Sequence, residues 1–426
     1  MAWQHTLQEL AEAIGASVPR EAMGVRFSCV STDTRALPAG AVFFALQGQR
    51  FDGEAFVEEA FQRGACAAVT RFAHSVGLCL VVGDSLAALQ AFAAAHRRQY
   101  SLPIIAVTGS CGKTMAKDLT AAVLSTRYRV ASTQGNFNNE IGCPLSLLRI
   151  ADETERAVIE IGANHLGEIA RLCTLAMPSE SAITMIAPAH LEGFGSLENV
   201  ARAKGEIVER LPVNGTFYVN TDDPWCARLG ESFSGTKIRF GQRGDVRLES
   251  CVPDGRCEMR LRIAPVGLLQ LPLVCRAHAS NVLLAVAVGL HHGIAEFEGP
   301  LRQALTSSSR FKLIEIGGLE VVDDTYNANP ASMTAALRTL AERPGGAKIA
   351  ALGDMLELGE AAPGLHREVG ALAAGVARAE VLRDHETMAK TILQDAKAGD
   401  VVLVKGSRAM KMERVIERLN SAILDN

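Results

Sequence analysis

The sequence lacks the marks of several functional classes. It has no basic excess: 43 Lys and Arg stand against 47 Asp and Glu, for a formal net charge of −4. With no long basic run either, nucleic acid is not an expected partner. No apolar run reaches membrane-spanning length, so no membrane span is expected. The ten cysteines are scattered, with no C-x-x-C pair and nothing at zinc spacing. Scattered thiols in a large chain fit a reducing, cytoplasmic setting. The opening MAWQHTLQELAEAIG reads as an amphipathic helix carrying acidic residues, unlike a signal peptide. What remains is ordinary for a globular protein, with 48% hydrophobic and 21% charged residues. At 426 residues the chain is too long for one core, and two or three domains are expected.

One stretch organises the rest, Ile104 to Thr114, IIAVTGSCGKT. Ile104 to Val107 is a short apolar run that predicts a buried strand. Gly109 and Gly112 bend the chain, and Lys113-Thr114 open a helix that runs to about Ser125. Strand, glycine turn and helix start together make a phosphate cradle. Backbone N–H groups of Gly109, Ser110, Cys111 and Gly112 point inward, the helix N-terminus adds positive charge, and Lys113 reaches terminal phosphates. The Thr114 hydroxyl suits Mg²⁺. The generic phosphate loop has glycine where this chain has Val107, so the match is to a shortened form, T-G-x-x-G-K-T.

The organisation read from the chain is α/β in three domains. Residues 1–98 form a small α/β unit with its own core and a helix from Ser85 to Arg98 capped by Asp84. Its Ser31-Thr32-Asp33-Thr34-Arg35 suits phosphate or sugar oxygens, and Leu46-Gln47-Gly48 offers backbone beside a flat base; a polar turn capping a strand is the plainer reading of the first. Residues 99–309 form the central phosphate-loop domain with a mostly parallel sheet, ending in a polar linker, Ser307-Ser308-Ser309. The stretch Thr133 to Gly142, with Asn138 and Asn139, is a loop able to present amides to a polar ligand. Ala157 to Gly162 reads as a strand with Glu160 near its carboxyl end; if that strand runs parallel to Ile104–Val107, its carboxylate emerges beside the phosphate loop and can hold Mg²⁺, the alternative being a surface glutamate paired with Arg156 or Arg171. His190, past the next strand, reads either as a second metal ligand or as a hydrogen-bonded loop histidine. Lys204 on a helix reads by itself as a solvated charge. Residues 310–426 repeat strand, polar loop and helix, which implies a second parallel sheet of Rossmann-like form with its loops at strand carboxyl ends. Lys405 and Arg408 there can hold a carboxylate. Between Val381 and Asp400 the chain is short for a further full βα unit, so an abbreviated strand is expected.

Seven strings carry a resemblance: TGSCGKT, GNFNNEIGCP, VIEIGANHLGEI, ENVARAKGEI, DDTYNANPASM, LGDMLELGE and VLVKGSRAM. Together they resemble the Mur ligase family, over Ser31 to about Arg414. The resemblance implies a UDP-sugar domain, a central ATPase and a Rossmann-like third domain. It implies that ATP phosphorylates the carboxylate of a UDP-muramoyl-tripeptide, and that the amine of D-alanyl-D-alanine attacks the acyl phosphate. By the same resemblance Lys113 binds the β/γ-phosphates, Thr114 and Glu160 hold Mg²⁺, His190 serves a second metal, and Lys204 matches a lysine carried as a carbamate. Asn281 is placed near adenine, and Arg310 and Asp324 near ATP. Ser31, Thr32, Asp33, Arg35 and Gly48 face the UDP moiety. Asn138, Asn139, Asn327 and Asn329 are expected at substrate, and Lys405, Ser407 and Arg408 near the dipeptide. ATP and Mg²⁺ are the expected cofactors, and a monomer is expected. One departure is Cys275-Arg276-Ala277-His278, where the family usually has G-x-H-N. A sister amide ligase, a kinase that stops after phosphoryl transfer, and a nucleotide switch are the rival classes.

Overall fold

The structure, a computed structural model, describes residues 3–48, 51–254, 258–308, 310–378 and 384–424. Three main sheets follow one another along the chain. The first has four short parallel strands, Val30–Ser31, Val42–Phe44, Ala67–Thr70 and Cys79–Val81. The second has nine strands, in the order Gly267–Leu271, Met259–Ala264, Val246–Pro253, Thr236–Gly241, Thr216–Asn220, Glu180–Ile183, Ile104–Thr108, Arg156–Glu160, Val130–Ser132. Its pairings are parallel except at the Gly267–Leu271 end, where two are antiparallel. The third has four, in the order Lys312–Ile316, Leu319–Asp324, Val401–Lys405, Lys348–Leu352.

Ile104–Thr108 lies between Arg156–Glu160 and Glu180–Ile183, where the winding of the central sheet reverses. A crevice opens beyond the carboxyl ends of strands at such a point. Register places Val107 opposite Glu160, and Thr108 opposite Ile183. The parallel arrangement expected for Glu160 is therefore present, and its carboxylate leaves the sheet beside the phosphate loop.

Capping residues explain where several helices start. Asp84 accepts from the backbone of Leu86 and Ala87 and opens Ser85–Arg97. Asn329 pairs reciprocally with Ser332 and precedes Pro330, the first residue of Pro330–Glu342. Asp223 accepts from the backbone of Trp225 and Cys226 and opens Pro224–Ser232.

Other expectations need correction. The first unit does not keep its core to itself. Val42, Phe44, Leu89 and Phe92 belong to one apolar cluster with Ile104, Leu147, Ile159 and Ile183 of the central sheet. Helix Ser85–Arg97 is shared, because its buried face is too broad for one small sheet to cover. Ser307 is the last residue of helix Glu298–Ser307, not a linker; its hydroxyl donates to the Gln303 carbonyl at 2.9 Å. Ser309 lies outside the described residues. The third sheet is mixed: Lys312–Ile316 returns through Gly317 (φ 58°) and Gly318 (φ 80°) into Leu319–Asp324 as an antiparallel hairpin. The stretch before Asp400 carries a helix, His385–Asp395, capped by Asp384. The abbreviated strand expected there overlaps residues 379–383, outside the described set; just before it, Arg378 bridges in parallel to Ile349.

Candidate functional site

The phosphate loop is pinned from behind. The Ser110 N–H donates to the Met185 carbonyl at 2.9 Å, and its hydroxyl donates to the Ala187 carbonyl at 2.8 Å. The Thr184 hydroxyl donates to the Cys111 carbonyl at 2.5 Å. A side chain at Gly109 would meet that hydroxyl at 2.0 Å, and one at Gly112 (φ 83°) would meet the Asn281 amide at 2.8 Å. Neither position admits another residue without movement. Lys113 folds back on the loop and donates to the Gly109 carbonyl at 2.9 Å. Burial pushes its ammonium below the usual range, against the pull of Glu160.

Glu160 is 1% exposed. Its Oε1 accepts from the Asn138 amide at 2.6 Å, and its Oε2 is buried with no hydrogen-bond partner among the described residues. An ionised oxygen in that position calls for a cation. Lys204 is also 1% exposed, and its Nζ meets only the Ala163 carbonyl at 3.5 Å and the face of Phe194 at 5.5 Å. Burial, with the Lys113 charge added, lowers its pKa to about 7. Among the described residues, no three His, Cys, Asp or Glu side chains group closely enough to cage an ion. Magnesium still fits, because it prefers one or two carboxylates completed by phosphate oxygens and water. The unpaired Glu160 oxygen beside a phosphate cradle is that donor set.

The third sheet delivers its loops to the same place. A cleft of about 1650 Å³ is lined by Gly112, Lys113, Thr114, Glu160 and His190, and also by Arg310, Asp324, Asn327, Asn329, Lys405, Ser407 and Arg408. Asn329 reaches across, its amide donating to the Ser110 carbonyl at 3.4 Å. Arg310 lies 3.7 Å over the ring of Tyr326. His190 bonds through Nδ1 to the Glu357 carboxylate; burial lowers its pKa, and Glu357 opposes that. Lys405 is 1% exposed and donates to Asp324 at 2.5 Å and to the Asn327 carbonyl at 2.8 Å. It is committed to holding the loop that follows Asp324. Burial raises the Asp324 carboxyl, and Lys405 pulls it back. The Ser407 hydroxyl accepts from the Leu356 N–H at 2.9 Å and so ties two of these loops together. Arg408 remains exposed, 3.2 Å from Glu413.

Some expected residues stand elsewhere. Ser31, Asp33 and Arg35 make a closed turn of their own: Ser31 donates to the Asp33 carbonyl at 2.8 Å, and Asp33 takes the Arg35 guanidinium at 2.6 Å. Neither these nor Thr32 and Gly48 line the large cleft. Asn139 does line it, but its side-chain oxygen is engaged by the N–H groups of Ile141 and Gly142 at 3.2 and 2.9 Å.

Comparison with known proteins places this arrangement. Residues 26–116 match the Mur ligase family catalytic domain, 107–289 the Mur ligase middle domain, and 309–385 the Mur ligase glutamate ligase domain. A relative from Bacillus subtilis, named UDP-N-acetylmuramoyl-tripeptide–D-alanyl-D-alanine ligase, is 35% identical over 92% of each chain. This chain belongs to the Mur ligase family. Among solved Mur ligases, MurF from Acinetobacter baumannii superposes with a TM-score of 0.88 at 29% identity, covering 99% of both chains. MurF from Thermotoga maritima in complex with ADP superposes at 0.83 and 29% identity, over 93% of this chain and 98% of that one. In this Mur ligase, sequence reasoning passed over Thr184, Tyr326 and Glu357 as site residues. Glu357 sat in view within GDMLELG, but nothing local marks it as the partner of a histidine 167 positions away.

Proposed function

We propose that this chain is an ATP-dependent amide ligase that joins D-alanyl-D-alanine to UDP-N-acetylmuramoyl-tripeptide, forming ADP and phosphate in peptidoglycan precursor synthesis. The observation that carries the reading is one cleft bounded on one side by a phosphate loop and on the other by the polar loops of the third sheet. A ligase needs a site for the incoming amine besides those for nucleotide and acid, and a kinase that stops after phosphoryl transfer needs no amine site. The named relatives, matched over nearly the whole chain, support the substrates. No helix among the described residues is long and apolar enough to cross a membrane; we place the work in the cytoplasm, where such precursors are made.

Residues 1–98 are assigned to the UDP moiety, 99–309 to ATP and 310–426 to the dipeptide. ATP and a carboxylate repel each other, so cations must offset that repulsion along the approach. Lys113 and the loop N–H groups take the β/γ-phosphates. Glu160 and Thr114 would hold Mg²⁺, with His190 and Lys204 toward a second ion; bound Mg²⁺ neutralises charge developing on the phosphates. Asn281 lies against the phosphate loop, fit for the adenine side, and Arg310 approaches ATP from across the cleft with Asp324. The tripeptide carboxylate attacks the γ-phosphorus and releases ADP. The dipeptide amine then attacks the acyl carbon, and phosphate leaves. Asn138 holds Glu160 in place, while Asn327 and Asn329 shape the substrate wall, and Arg408, exposed beside Glu413, is assigned to the dipeptide carboxylate. Excluding water protects the acyl phosphate. Burial lowers the Lys204 ammonium toward neutral pH, which favours the uncharged amine whose nitrogen can add to CO₂, release a proton and become a carbamate. Mass analysis in bicarbonate tests this.

The deciding experiment measures phosphate release with UDP-muramoyl-tripeptide, with and without D-alanyl-D-alanine. Release that depends on both, with a joined product, is expected. ADP release independent of the amine, with no joined product, would instead favour a kinase that stops after phosphoryl transfer. Lys113→Ala should cut turnover by about 10²–10³-fold and leave folding intact.

A further inference from the structure

Glu357 belongs to the loop 353–359 of the third sheet, yet its contacts are with the central sheet. Two bonds join them. The carboxylate takes His190 Nδ1, and the Glu357 carbonyl accepts the Glu192 N–H at 3.1 Å. Gly359 packs beside them, where a side chain would stand 3.4 Å from Glu192 Cα. The backbone is held tightly on both sides. His190 (φ 51°) and Glu357 (φ 62°) are two of the few non-glycine residues in left-handed backbone among those described. Such backbone is disfavoured for residues that carry a Cβ, and persists where surrounding structure enforces it.

The chemistry of the contact fixes the imidazole. An ionised carboxylate only accepts, so Nδ1 carries the proton and Nε2 keeps its lone pair. Nε2 has no hydrogen-bond partner among the described residues, and His190 lines the cleft that holds Glu160 and Lys113. A histidine whose one nitrogen is tied to a carboxylate is the usual arrangement of a metal-binding imidazole.

We propose that Glu357 is a positioning residue: it sets the tautomer and orientation of His190, so that a divalent ion gains its imidazole ligand only when the loop 353–359 has docked. The inference rests on the metal–nucleotide site of the ligase reading. It makes metal capture report closure, since the ligand stands on the central sheet and its orienting carboxylate on the third.

The test uses the full chain with Mn²⁺ and ADP. Electron spin-echo measurements read ¹⁴N coupling from a manganese-bound imidazole, and titration reads Mn²⁺ affinity. Wild type should show the coupling. Glu357→Ala should lose it and bind that Mn²⁺ about tenfold more weakly, with metal-free ADP binding unchanged. Glu357→Gln retains an acceptor oxygen and should restore the coupling in part. Equal Mn²⁺ affinity and equal ¹⁴N coupling in wild type and Glu357→Ala would overturn the proposal. So would a loss of ADP binding in Glu357→Ala without metal, which would mean a general structural role. A wild type without ¹⁴N coupling also overturns it; amine-dependent phosphate release from the same preparation would then leave the ligase reading standing.

Discussion

The central sheet meets its two neighbours in opposite ways. Toward the first sheet the junction is apolar and continuous. Leu89, Phe92 and Ala93 are buried in the cluster that holds Ile104 and Ile159, and Arg97, itself buried, donates to the Ala176 carbonyl at 2.9 Å. Toward the third sheet the contacts are fewer and more polar: Asn329 to Ser110, His190 to Glu357, Glu192 to Glu357 and Arg276 to Glu342, beside a small apolar patch where Cys275 and His278 meet Phe311. Burial of apolar area resists separation, whereas hydrogen bonds exchange with water at small net cost. The first junction is built to stay shut. The second has less apolar area to separate, and the cleft lies there.

The strongest test of that contrast is Phe92→Ala. A cavity at a 1%-exposed position should remove about 3–5 kcal/mol, and denaturant melts followed by probes in residues 1–98 and 99–309 should shift together. Separate shifts would break the claim of one continuous core.

Acid should strain the same junction. His96 is fully buried, held between His5 at 2.9 Å and the Ile150 carbonyl at 2.8 Å, and burial lowers its pKa to about 4. Its folded value lies below the unfolded one near 6.5, so the unfolded chain binds the proton first. Stability from this group is complete above about pH 6.5, falls as pH drops toward 4, and levels off below. The loss is at most on the order of 3 kcal/mol. Melting wild type and His96→Gln across this window should show a shallower slope in the variant.

At the polar junction the expected effects fall on turnover. Arg310→Ala should lower kcat by about a hundredfold with the melting temperature nearly unchanged; wild-type turnover would remove Arg310 from the reaction. The smallest effect is expected from Asn329→Ala. Losing a helix cap costs about 1 kcal/mol, and losing the reach to Ser110 should lower turnover several-fold and make it more salt-sensitive.

The contrast also explains what the sequence disclosed. The phosphate loop was legible because strand, glycines, lysine and helix are contiguous. Glu160 followed from strand direction alone. Cap chemistry at Asp84 marked the helix that begins at Ser85. The Gly317-Gly318 hairpin was equally written in the chain but was absorbed into the pattern of parallel units. What could not be read was pairing at a distance. Lys405 looked like a free cation at a strand end, yet Asp324, brought beside it by the register of two strands, consumes it. Glu357 met His190 only through docking, and the shared role of Ser85–Arg97 depended on which sheet lay behind it.

The Lys405–Asp324 pair carries one more consequence. Removing either partner strands the other's charge away from water, which is more damaging than losing both. The two positions are therefore bound to drift in step: a lineage that neutralised one would survive best by neutralising its mate, and would then have to find another brace for the turn at Asn327.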